Sequence, residues 1–195
     1  VMFLSDNGGL PCSEIQPLNG NKMGTAYEGH MRTPVVVRWP EAIPAGTVCH
    51  EFGITTDFFP TFAQWCSGEL PELKIDGLNI SDLFTSPTTA KSPHDFVPYK
   101  MDGWREGPWK VLRAKVNNKV GWQLYNLESD IGETKSLSKE EPDRLAKMLK
   151  RKTQWNDQLQ AEARPHAKMP DPSPFITVDQ VKAKGLPSVS AWMAK

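Results

Sequence analysis

The sequence predicts an α/β core that passes into a small antiparallel sheet carrying one helix. Two short β-branched runs, Val1–Leu4 and Pro34–Pro40, flank a Gly-rich stretch near the start. After position 95 the rhythm changes to aromatic and β-branched runs separated by turn residues, the pattern of a meander. From about Pro142 to Ala163 apolar residues recur at three- and four-residue steps, the period of an amphipathic helix.

Taken in order, Val1-Met2-Phe3-Leu4 reads as a buried strand entering the polar turn Ser5-Asp6-Asn7-Gly8-Gly9. A buried strand at residue 1 needs neighbours and cover on both faces, so the chain reads as a piece of something longer. Residues 8–33 show little periodicity and read as a long loop; connections of that length are usually functional or disordered. Pro34-Val35-Val36-Val37-Arg38-Trp39-Pro40 reads as a short interior strand. Residues 55–68 carry a cap, an early Pro60, apolar Phe58, Phe62 and Trp65 and a closing Gly68, which predicts a helix of about three turns. Residues 85–95, rich in Thr, Ser, Pro and Ala, mark a boundary, giving segments 1–92, 93–163 and 164–195. In the second segment, Phe96–Met101, Trp109–Lys115 and Trp122–Leu127 are the expected strands. Leu145, Met148, Leu149, Lys152, Trp155 and Leu159 form the helix stripe, best used by packing on the meander. Residues 164–195 hold five prolines and few large apolar clusters, and are expected to wrap the surface or lack fixed structure.

Composition narrows the function classes. Among 195 residues, 23 Lys+Arg balance 23 Asp+Glu, and no basic block points to nucleic acid. No apolar run approaches the roughly 18 residues of a membrane span. The three cysteines, Cys12, Cys49 and Cys66, are spaced too widely for a zinc ribbon and are too few for a disulfide scaffold. One pair could bridge, which leaves the compartment open.

Chemistry concentrates near the start. Ser5-Asp6-Asn7-Gly8 follows a strand, and in open α/β sheets ligands bind beyond the carboxyl ends of strands. Asp6 and Asn7 offer hard oxygen ligands suited to Ca²⁺ or Mg²⁺; the plain alternative is turn chemistry. Fifteen residues after Asn7 comes Lys22, in Gly20-Asn21-Lys22-Met23-Gly24. A lysine among glycines brings a compact cation and bare backbone amides to an anion. Glu28 can hold Lys22 or Arg32 through a charge-assisted hydrogen bond. His50 and His94 have no partner visible in sequence, and Trp104 and Arg105 read either as cleft lining or, for Trp104, as meander core.

The block Ser5–Gly9, then Pro17-Leu18-Asn19-Gly20-Asn21-Lys22-Met23-Gly24-Thr25-Ala26-Tyr27-Glu28-Gly29, then Arg32-Thr33-Pro34 and Arg38-Trp39-Pro40, resembles the second half of a sulfatase of the arylsulfatase type. The likeness runs on through Thr56–Thr61, Ile75-Asp76-Gly77, Arg105-Glu106-Gly107-Pro108-Trp109-Lys110, Trp122–Leu127 and Gly132-Glu133-Thr134, over about residues 1–160.

The resemblance implies the carboxyl-terminal part of an alkaline-phosphatase-like α/β sandwich, followed by the small antiparallel sheet and helix. It implies hydrolysis of sulfate esters, with a sulfated carbohydrate as a plausible substrate. The nucleophile would be a formylglycine made from a Cys/Ser-x-Pro-x-Arg motif, which this sequence lacks and which is expected upstream. Carried over by motif, Asp6 and Asn7 become calcium ligands and Lys22 contacts the sulfate. His30 stands where the family usually has a second glycine, and either reaches the sulfate rim or points to solvent. The chain alone is expected to be inactive, and the intact protein periplasmic, secreted or lysosomal. The alternatives are a phosphomonoester or phosphodiester hydrolase of the same superfamily, and a non-catalytic binding or structural fragment.

Overall fold

The computed structural model describes residues 1–10, 12–22, 26–99, 102–116 and 118–163. Val1–Asn156 form one compact unit and Asp157–Lys195 a second. Of the second unit, the described residues are the end of the last helix and Ala163; the Pro-rich segment 164–195 lies outside the described residues.

The chain opens with β1 (Met2–Leu4), which pairs antiparallel with β2 (Val35–Val37), Phe3 standing opposite Val36. The expected burial of both strands is not found. Phe3 is 70% exposed and Val36 62%, because among the described residues no layer covers these faces of the two-stranded ribbon. Between these strands the stretch expected as loop contains α1 (Glu28–Met31), a single turn too short to show a period in sequence. A 3-10 turn at Thr55–Asp57 then runs into α2 (Phe58–Trp65). Beyond it Ser67 takes φ 53° and the amide of Gly68 donates to the Ala63 carbonyl, so the helix stops where Gly68 predicts. A short α3 (Ser81–Thr85), not anticipated, begins just after Ile80, whose amide donates to the buried Thr61 hydroxyl at 3.0 Å.

The meander has four strands: β3 (Val97–Tyr99), β4 (Gly103–Glu106), β5 (Trp109–Val116) and β6 (Lys119–Asn126), antiparallel in that order. The additional strand is β4, hidden in sequence because Gly103 and the Glu106-Gly107-Pro108 run both read as turns. Gly103 is a strand residue for a steric reason. A Cβ there would stand 2.7 Å from Tyr99 Cβ and 2.9 Å from Ala26 Cβ. Between β5 and β6 Asn118 takes φ 63°, the left-handed conformation a tight strand reversal uses.

Alternation along the strands gives the sheet two buried faces. Trp104, Val111 and Leu124 pack with Met148, Leu145, Leu149 and Trp155 of α4 (Pro142–Glu162), the expected use of the helix stripe. Lys152 of the stripe is buried, with its ammonium 5.6 Å from the Trp122 ring centroid, and burial holds its pKa below the ordinary lysine value. Glu106 ties sheet to helix, accepting from Trp104 Nε1 and from Arg151 Nη1, each at 2.6 Å. The opposite face carries Leu112, Ala114, Tyr99 and Tyr125, which pack with Ala26, Tyr27 and Met31 from the amino-terminal loop and α1. No helix among the described residues is long and apolar enough to cross a membrane.

Trp104 is core: it is 1% exposed and stacks on Phe96 with ring centroids 4.3 Å apart. Trp104→Ala is expected to cost about 3–5 kcal/mol, read from the urea midpoint. A cost under 1 kcal/mol would mean that this face is not the core of the meander.

Candidate functional site

Three separate segments are tied into one knot by backbone contacts. The Gly8 amide donates to the His30 carbonyl at 2.8 Å, the Lys22 amide to Gly9 at 2.8 Å, and the Gly29 amide to Asn19 at 2.7 Å. The crossing tolerates only glycine at two places. A Cβ on Gly8 would lie 1.8 Å from the Gly29 carbonyl oxygen, and one on Gly29 would lie 2.4 Å from that of Asn19. The strand-end loop that carries Asp6 and Asn7, the loop that carries Lys22, and α1 are therefore held against one another by main chain.

On this frame Asp6 and Lys22 are exposed, Asn7 is half-buried, and Ser5 Oγ donates to the Asn7 carbonyl at 2.8 Å. His30 does not point to solvent. It is buried, and its Nδ1 donates to the Asn21 carbonyl at 2.8 Å, which fixes the ring orientation beside the residue that precedes Lys22. Asp6 and Asn7 have the oxygen chemistry calcium prefers, yet two donors fall short of the six to eight that Ca²⁺ takes. Among the described residues no group of three or more His, Cys, Asp or Glu side chains is placed to hold a metal ion. Asp6 and Asn7 by themselves therefore do not make a cation site among the described residues.

Glu28 does not serve Lys22 or Arg32. It is 1% exposed and turns inward, where a desolvated carboxylate must find cations. Lys110 Nζ donates to its Oε1 at 2.7 Å, and Arg105 Nη1 stands 3.7 Å from its Oε2. Lys110, itself fully buried, also lies 2.8 Å from Glu133 Oε1 and 4.5 Å from the Tyr99 ring centroid. The Lys110–Glu133 approach is a charge contact without hydrogen-bond alignment. Glu133 Oε2 accepts the Glu28 backbone amide at 2.6 Å, so the start of α1 is gripped by a side chain 105 residues away.

Sheet register explains why these charges meet. Arg105 pairs directly with Lys110, and Lys110 with Tyr125, so one row across β4, β5 and β6 places two cations side by side. Like charges opposite each other in a sheet repel, and the carboxylates of Glu28 and Glu133 supply the compensation. Burial pushes the Glu133 carboxyl above its ordinary pKa; Lys110 and the Glu28 amide oppose this without cancelling it. Burial likewise raises the phenols of Tyr99 and Tyr125. Arg105 therefore braces Glu28 and lies over the Phe52 ring at 4.6 Å.

A second pairing escaped the sequence reading. His94 Nε2 lies 2.8 Å from Asp57 Oδ2. Asp57 is fully buried and also accepts the amides of Ile54 at 2.7 Å and Leu78 at 2.9 Å. His50 is exposed, and Cys12, Cys49 and Cys66 are free thiols. The sequence signal for Lys110 and Glu133 was present in the motifs that contain them, but nothing local said they would converge on Glu28.

Residues 23–160 match the family described as N-sulphoglucosamine sulphohydrolase, C-terminal. A protein named sulfatase from Formosa agariphila is 28% identical over 206 residues, spanning 93% of this chain and 37% of that protein. Human arylsulfatase A is 40% identical over 100 residues, 48% of this chain and 18% of that protein. The crystal structure of Ps i-CgsB superposes with a TM-score of 0.69 at 26% identity, covering 100% of this chain and 43% of that one. The same protein is known in complex with k-i-k-neocarrahexaose, with a TM-score of 0.68. The chain thus spans less than half the length of the relatives it matches.

Lys110→Met leaves Glu28 and Glu133 buried without their shared cation, and is expected to destabilise by about 3–5 kcal/mol in thermal or urea melts. A melt indistinguishable from the parent would show that the cluster carries no weight. The pH dependence carries a sign. Because the native pKa of Glu133 is raised above 4.5, the folded state binds more protons, and stability falls as pH rises from 4.5 through the native value. Glu133→Gln is expected to flatten that part of the stability–pH curve, whatever its offset; an unchanged slope would assign the titration elsewhere.

Proposed function

The chain belongs to the N-sulphoglucosamine sulphohydrolase C-terminal family, and on that premise we propose that it forms part of a sulfuric ester hydrolase acting on a sulfated carbohydrate. The observation that supports this reading best is the knot itself. It brings an exposed lysine to the same loop cluster as a strand-end Asp-Asn pair, with a buried histidine bracing the turn before the lysine. A compact cation held on a main-chain frame suits an anionic ester oxygen and adds positive charge where negative charge grows as the S–O bond breaks. The carbohydrate assignment draws support from Ps i-CgsB, a neighbour whose structure is known in complex with k-i-k-neocarrahexaose.

In this reading Lys22 binds and orients the sulfate. His30 either meets the sulfate rim or, by its hydrogen bond to Asn21, sets the direction of the lysine loop. Asp6 and Asn7 contribute oxygen ligands toward a Ca²⁺ completed by residues outside those described. Formylglycine supplies the nucleophile in such enzymes, and its Cys/Ser-x-Pro-x-Arg motif is not among these residues. A periplasmic, secreted or lysosomal location goes with the family.

The test is turnover of 4-nitrophenyl sulfate against 4-nitrophenyl phosphate by the enzyme that contains this chain. Sulfate turnover should dominate, and Lys22→Ala should lower kcat/KM by about 10²-fold, the scale for removing one preorganised charge-stabilising group. The 195 residues alone should turn over neither. Preference for the phosphate ester would favour the phosphatase reading, and indifference to Lys22→Ala would remove the lysine from the site.

A further inference from the structure

A polar cleft of about 500 Å³ lies between the loop at residues 13–21 and the Gly132–Thr134 turn, beside the knot, whose Asn19 and Asn21 belong to its lining. Its side chains include Ser13, Glu14, Gln16, Asn19, Asn21 and Thr134. Resting on the sulfated-carbohydrate reading above, we infer that this cleft is a subsite for an uncharged sugar ring next to the ring whose sulfate meets Lys22.

The lining has the right chemistry. Hydroxyls and carboxamides both donate and accept, as sugar hydroxyls require, and Ile15, Pro17 and Leu18 add a smaller apolar part that the C–H face of a sugar ring can meet. The walls are also preset. The Asn19 amide oxygen accepts the Gly20 amide at 2.8 Å, and the Thr134 hydroxyl donates to Asp130 at 3.0 Å, leaving its oxygen lone pairs as acceptors. A Cβ on Gly132 would stand 2.8 Å from the Pro17 carbonyl oxygen, so glycine is what lets the two walls approach. A rigid polar wall binds with less ordering cost than a mobile one.

Position and charge set the direction. Asn21 lines the cleft and Lys22 follows it directly, with Cα atoms about 3.8 Å apart across a trans peptide. A ligand anchored at Lys22 reaches the cleft with its neighbouring ring. The ionisable side chain among the described lining residues is the carboxylate of Glu14, and the lining itself holds no lysine or arginine. A second sulfate there meets like charge, so the flanking ring is a neutral one.

The experiment uses the enzyme that contains this chain, with its nucleophile replaced so that sulfate esters are not turned over, and titrates it by calorimetry with four probes. These are a monosulfated monosaccharide, the same sulfated ring joined to a neutral ring, that disaccharide with a second sulfate on the neutral ring, and the wholly unsulfated disaccharide. The monosulfated disaccharide should bind about tenfold tighter than the monosaccharide, the gain from one or two added hydrogen bonds, and the second sulfate should abolish the gain. Gln16→Trp, which fills the cleft, should remove the gain and leave monosaccharide binding unchanged. Glu14→Gln, nearly isosteric and safe for folding, should restore tight binding of the disulfated probe. Equal affinity for monosaccharide and disaccharide, a tighter disulfated probe, or no binding at the cleft overturns the proposal. If the unsulfated disaccharide binds with the same Gln16→Trp sensitivity while the sulfated monosaccharide does not bind, the sulfate reading fails and the subsite stands.

Discussion

The fold depends on one ammonium group. Lys110 lies fully buried between the carboxylates of Glu28 and Glu133, 105 residues apart in sequence, and a buried carboxylate needs such a cation beside it. Its aliphatic stem belongs to β5, its charge to the contact between sheet and α1. Through Glu133 it fixes the backbone amide that begins α1, and through Glu28 it fixes the side chain that anchors that same turn. The position of α1 sets that of Gly29 and His30, and these in turn locate Gly8, Asn19 and Asn21. The meander thus acts as a scaffold under a loop that would otherwise have little to fold against.

Ion clusters of this kind seldom add much net stability, because desolvation offsets the attraction. The cost appears when one partner is lost, because an unpaired charge is then left buried. Glu133 accepts a left-handed backbone, φ 52°, to reach its place, which is a local cost that the buried network sustains.

What was legible in the sequence was whatever repeats or punctuates. The period of α4, the breaks before and after α2 and the Asn turn between β5 and β6 follow from local rules, and the structure has them. The stripe Leu145–Met148–Leu149–Trp155 packs where its period implies. Elements without a period were invisible: α1 has four residues and α3 five, and β4 carries a glycine whose reason is a contact with Ala26, far away in sequence. The site divided in the same way. Asp6, Asn7 and Lys22 stand out through local motif chemistry. Lys110, Glu133 and the His94–Asp57 pair are ordinary residues until the chain folds, because their meaning lies in sheet register and in contacts tens of residues long. Glu28 was noticed, but its partner was sought nearby, whereas burial sent it inward.

The crossing of Gly8 over Gly29 has one more consequence. Most contacts in a protein can be improved or repaired by trying other side chains, because they are made of atoms that vary. This one is made of an atom that is missing, and any other amino acid at either position pushes main chain against main chain. It therefore lies outside the reach of optimisation: a library that randomises the loop has no viable neighbours at the two glycines. The loop can vary around a fixed point, and that point has no side chain.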